Sequence, residues 1–133
     1  MRATRKAPAA FVLGLALATA TGCAVTETAC PAIGYFSTLK VVIEGGTAHD
    51  VLVCDGDVCA PSEKASAEGY VITGAGNGEV WTFTGQFPQD FTLRVMDGDG
   101  TILTDAAVTP DWVRTGGSEA CGGPAEATVT VRI

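Results

Sequence analysis

Residues 91–96 read Phe-Thr-Leu-Arg-Val-Met, with apolar and polar side chains in strict alternation. A strand sends successive side chains to opposite faces, so this stretch should bury Phe91, Leu93 and Val95 and expose Thr92, Arg94 and Met96. The same period of two recurs along the chain, and a helical period does not. Leu39, Val41 and Ile43 share a face within 38–44. Residues 50–54 and 69–73 form two further runs, 74–78 (Gly-Ala-Gly-Asn-Gly) read as a turn, and 79–84 place Trp81 and Phe83 on one side. Residues 101–104 and 127–133 complete the set, the last with Val129, Val131 and Ile133 inward. About seven short strands separated by Gly, Asp and Pro predict an all-β chain, a small antiparallel β-sandwich.

The size and strand count resemble those of immunoglobulin-like modules. The likeness is architectural, because the Cys…Trp…Cys core pattern of antibody domains is absent. One helical turn is expected within 62–68. Residues 105–124 are the least regular stretch and read as a functional or loosely ordered loop.

The N-terminus carries a different signal. Arg2, Arg5 and Lys6 precede an uncharged stretch from Ala7 to Thr21 whose centre is Phe11-Val12-Leu13-Gly14-Leu15-Ala16-Leu17-Ala18. A basic start, a short apolar centre and small residues at the end predict a secretory signal peptide. The run is shorter than the roughly 20 apolar residues of a spanning helix and is diluted by Ala, Gly and Thr. Ala20-Thr21-Gly22-Cys23 resembles the lipobox of bacterial lipoproteins, with Gly22 and Cys23 matching and Ala20 departing from the usual Leu. The resemblance covers about residues 1–23. It implies that residues 1–22 are removed and that the Cys23 thiol carries a diacylglyceryl group. Two acyl chains such as palmitate make a stable anchor, where one chain is marginal. The competing reading is conventional secretion, with cleavage near Ala18-Thr19-Ala20 and Cys23 left as a spare thiol.

Cleavage before Cys23 leaves 111 of the 133 residues, enough for one domain with a modest core. The expected organisation is a lipidated N-terminus and short tether over 23–36, then a sandwich over 37–133. Losing three basic residues takes the net charge from −7 to −10. Such a chain is a poor ligand for nucleic acid or for anionic head groups. Its Ala/Gly/Thr/Val/Asp-rich composition is similar to that of small lipoproteins of high-GC Gram-positive bacteria.

The chain holds five cysteines. With Cys23 assigned to lipid, Cys30, Cys54, Cys59 and Cys121 remain, an even set that three pairings would satisfy. A two-residue hairpin at Gly56-Asp57 would set Asp55 against Val58 and Cys54 against Cys59, close enough for a disulfide. Cys30 and Cys121 would then pair, provided the first and last strands run parallel as neighbours. A redox or zinc site at Cys54 and Cys59 is the alternative. It lacks the C-x-x-C spacing and the four tetrahedral ligands.

Candidates for chemistry are few. His49 is the only histidine; it reads as a polar residue in the turn before the second strand, and the catalytic pair it would make with Asp50 is not accompanied by a nucleophile-elbow motif. Asp97-Gly98-Asp99-Gly100 resembles the start of a calcium loop. The sixth and twelfth positions, Ile102 and Val108, break the EF-hand pattern, and a hairpin turn is the simpler reading. Trp112, with Arg114 near it, lies in the irregular stretch as a cap over an open end of the sandwich or as a binding residue.

The expectation is a non-enzymatic lipoprotein on the extracytoplasmic face of the cell membrane, without a cofactor. It would bind an envelope protein, a polymer or a small ligand, or serve a structural role at the cell surface. The alternative is a calcium-dependent envelope protein or enzyme using Asp97, Asp99 and Asp105.

Overall fold

The first and last strands lie side by side and run the same way. β1 (Ser37–Glu44) pairs in parallel with β9 (Ala125–Arg132), from Thr38 opposite Glu126 to Glu44 opposite Arg132. The computed structural model describes residues 29–32 and 34–133; the expected signal peptide, the lipobox-like stretch and Cys23 lie outside the described residues. Between β1 and β9 come β2 (Asp50–Asp55), β3 (Val58–Ala60), α1 (Glu63–Ala67), β4 (Ile72–Asn77), β5 (Val80–Gly85), β6 (Phe91–Met96), β7 (Ile102–Val108) and β8 (Val113–Arg114). They form two sheets, ordered β4-β5-β1-β9-β8 and β3-β2-β6-β7, and every pairing except β1 with β9 is antiparallel.

The alternation read from the sequence decides which faces meet. Leu39, Val41, Trp81, Phe83 and Val131 of the first sheet form one buried cluster with Val51, Val53, Phe91, Leu93 and Val95 of the second. Each large side chain removed from water in this way contributes about 1.5–3 kcal/mol. Together they make the sandwich. The outward partners Thr82, Thr84, Thr128 and Thr130 remain exposed.

The strands number nine among the described residues, not about seven; the additions are the short β3 and β8. The third strand begins and ends later than 69–73, and residues 74–77 are strand rather than turn. The reason is a pair of rings. Phe83 lies across Gly74, and Trp81 lies across Gly76, where any Cβ would collide with them. Glycine is therefore the residue that lets β4 pair with β5 beneath those side chains. The sixth strand extends past Thr104 to Val108, so 105–108 do not belong to the irregular stretch. Asp105 and Ala106 there are held by pairing with Arg94 and Leu93.

The helix forms where one turn is expected. Ser62 is its N-cap: its Oγ accepts from the Ala65 N–H at 3.1 Å, and its hydroxyl donates to the Cys59 carbonyl at 2.6 Å. The turn buries Ala65 and packs against the edge strand β3. Covering an edge in this way removes a template for aggregation.

Both disulfides follow the sequence reading. Cys54 sits opposite Cys59 across the hairpin, with Cα atoms 4.0 Å apart, and Asp55 faces Val58. Gly56 has φ 58°, as the first central residue of a II′ turn requires. Cys30 joins Cys121, with Cα atoms 5.2 Å apart, just before β1 and β9. In the chain-entropy model the long closure of 91 residues contributes about 4–5 kcal/mol, and the closure of 5 about 2 kcal/mol.

Candidate functional site

The pairings sort the loops into two ends. Ser37, Gly85 and Ile72 lie in one row, so the segments flanking them meet at the end where β1 and β9 begin. The residues after β5, Gln86-Phe87-Pro88-Gln89, turn across this end toward Phe91 at the start of β6. The Phe87 ring is 5.8 Å from that of Phe91 and 5.2 Å from that of Trp112, both in tilted contact. The Trp112 segment is pinned there by the buried Pro110 and by the Thr109 hydroxyl, 2.8 Å from Asp90 Oδ1. Trp112 is thus partly buried against the core, as an end cap would be.

It is also one wall of an open cleft of about 430 Å³, within the usual range for ligand sites. Tyr35, Gln86, Phe87, Pro88 and Gln89 supply the other walls. Beneath them Ser37 Oγ accepts from the Ala125 N–H at 3.1 Å, which ties β1 to β9. No lining residue carries a formal charge at neutral pH, although the whole chain is strongly acidic.

The polar atoms of this cleft differ from their counterparts elsewhere. Trp81 Nε1 donates to the Gly78 carbonyl at 3.4 Å, and the Tyr70 hydroxyl donates to Asp55 Oδ2 at 2.8 Å. That bond is the main reason the Tyr70 phenol titrates above its ordinary value, with burial and the negative charges of Asp55 and Glu68 adding to it. Trp112 Nε1, the Tyr35 hydroxyl and the carboxamides of Gln86 and Gln89 make no hydrogen bond to any described residue. One tryptophan and one tyrosine are satisfied internally. The other of each kind lies in the cleft with its donor open.

The remaining candidates are placed elsewhere. Arg114 does not line the cleft; its Nη1 donates to the Gly116 carbonyl at 3.2 Å. His49 is exposed at the opposite end, where its backbone N–H bonds the Met96 carbonyl, and Asp50 Oδ1 accepts from the Val51 N–H. Asp97 closes the β6–β7 hairpin: its Oδ1 accepts from the N–H groups of Asp99 and Thr101, both at 2.9 Å. Asp105 faces Arg94 across the strands in a two-pronged pair of 2.9 and 3.1 Å. That hydrogen bonding is the chief cause holding the Asp105 carboxyl below the usual carboxylate range and raising Arg94. Asp97, Asp99 and Asp105 are not brought together, and no cluster of three His, Cys, Asp or Glu side chains suited to a metal ion occurs among the described residues.

Sequence reasoning reached Trp112 but missed Tyr35, Gln86, Phe87 and Gln89. The available signal was the aromatic and amide content of 86–89, a non-alternating insertion between two clear strands. No family model, no curated protein and no solved structure matches this chain.

Proposed function

We propose that the protein is a membrane-anchored lipoprotein on the extracytoplasmic side of the cell, with a β-sandwich that acts as a non-enzymatic binding module of the envelope. The observation that carries this reading is the cysteine pairing. Cys30, Cys54, Cys59 and Cys121 are joined to one another, so Cys23 is the one cysteine outside both disulfides, and it stands in the lipobox-like sequence. Two disulfides also suit an oxidising compartment. Binding rather than catalysis is supported by the cleft, which offers aromatic faces and amides rather than a paired acid and base. The calcium reading draws no support from the carboxylates it names. Asp97 is engaged with its own turn, and Asp105 with Arg94.

The test is the intact mass, without reductant, of the protein taken from a membrane fraction. A diacylglyceryl adduct on a chain beginning at Cys23, with four hydrogens missing, is expected. An unlipidated chain recovered from the medium would overturn the anchor.

A further inference from the structure

We infer that the cleft at the β1–β9 end binds an uncharged glycan segment. The inference deepens the binding-module reading and rests on it. Three features of the lining select this ligand class. First, Tyr35, Phe87 and Trp112 provide aromatic surface on an open cleft, and the apolar C–H face of a sugar ring stacks on the electron-rich face of such rings. Second, the lining carries no formal charge in a chain of net charge −7, so nothing in the cleft compensates a charged ligand. Third, the open polar atoms are mixed in kind. Trp112 Nε1 is a donor only, the Tyr35 hydroxyl donates and accepts, and each Gln carboxamide offers two donor hydrogens and an acceptor oxygen.

The third feature discriminates against the nearest rival, a proline-rich peptide. Such a peptide also docks on aromatic grooves. Its proline residues have no N–H, so they would leave the acceptor oxygens of Gln86 and Gln89 without donors. Sugar hydroxyls both donate and accept, and neighbouring hydroxyls on one ring match the spacing of a carboxamide. A desolvated polar group without a partner weakens binding, so the polyol is the better complement.

The anchor reading adds a location. Cys23 precedes Cys30 by seven residues, a span of at most about 25 Å however that segment is folded. Cys30 is fastened to Cys121 at the cleft end, so a lipid on Cys23 keeps the cleft near the bilayer. A glycan linked to lipid and a wall polymer approaching the membrane share the required chemistry.

The experiment uses the protein as its host exports it, with both disulfides intact. Tetrasaccharides of β-1,4-linked N-acetylglucosamine, α-linked mannose and β-1,4-linked glucose are titrated while tryptophan emission is followed, with decaproline in parallel. Saturable binding of at least one sugar is expected, with the emission change lost in Trp112→Phe. Gln89→Ala and Tyr35→Phe, which leave the rings in place, should each weaken it about tenfold, while Lys40→Ala on the outer sheet face leaves it unchanged. Co-sedimentation with vesicles bearing a neutral glycolipid then separates the lipid-linked source from the free polymer. Binding of decaproline and of no sugar would overturn the inference, as would the absence of all sugar binding by a protein with an unchanged melting curve. Neither result depends on the mass at Cys23, so failure of the ligand and failure of the anchor are told apart.

Discussion

The two ends of the sandwich are closed by different chemistry. At the end where β6 turns into β7, Asp97 accepts two backbone N–H groups, and the Asp97 and Gly100 backbones complete a tight hairpin. Its key polar atoms are used inside the turn. At the opposite end both disulfides are found: Cys54–Cys59 on the hairpin beside Phe91, and Cys30–Cys121 ahead of β1 and β9. That end also leaves four side chains with open hydrogen-bonding atoms around a cleft. One end spends its polar atoms on its own turn, and the other keeps several turned outward on loops held by ring contacts and by the Thr109–Asp90 hydrogen bond. Holding polar atoms in a fixed place before a ligand arrives lowers the cost of binding.

The largest effect should come from removing the long cross-link. Cys30→Ser with Cys121→Ser is expected to cost about 4–5 kcal/mol, against about 2 kcal/mol for Cys54→Ser with Cys59→Ser. Paired thermal melts would show it, and equal losses from the two would break the view that the long closure dominates the cleft end.

A smaller effect sharpens the contrast between ends. Asp97→Ala should lower stability by about 1 kcal/mol, because two turn N–H groups lose their acceptor. Gln89→Ala, at an exposed site without an internal bond, should stay within about 0.5 kcal/mol. Denaturant titration of the two variants measures the difference, and a larger loss at Gln89 would mean the cleft amides are structural after all.

The smallest effect belongs to neither end. Arg94 holds the Asp105 carboxyl below its ordinary range, so the pair's contribution is present above that range and fades as pH falls through the lowered value. The melting difference between the wild type and Asp105→Asn should therefore shrink from about pH 7 to about pH 3, and shrink with added salt as well. A difference that grows in acid would contradict the assigned sign.

Much of the fold was legible because burial on one face leaves a period of two. Phe91 to Met96 and Leu39 to Ile43 show it without interference. Gly74 and Gly76 hid the later part of the third strand, because their fitness for it lies in Phe83 and Trp81 of the neighbouring strand. Asp105 and Ala106 were unreadable for a similar reason, since their strand character comes from Arg94 and Leu93. The disulfides were legible through the hairpin turn and the even count. Of the cleft only Trp112 was visible. Tyr35, Gln86, Phe87 and Gln89 come from segments some fifty residues apart in the chain, and strand pairing alone brings those together.

The parallel pairing of β1 with β9 and the disulfide ahead of them have a mechanical consequence. A pull applied between a point before Cys30 and a point beyond Arg132 enters the domain through the Cys30–Cys121 bond and passes directly into the segment that ends in β9. The 90 residues between those cysteines lie outside the load path. The tension then runs along the backbone from Cys121 through β9, while β1, inside the cross-linked loop, is attached to that strand only through the hydrogen bonds of their ladder. Even after β9 gives way, the loop holding β1 to β8 bears no tension.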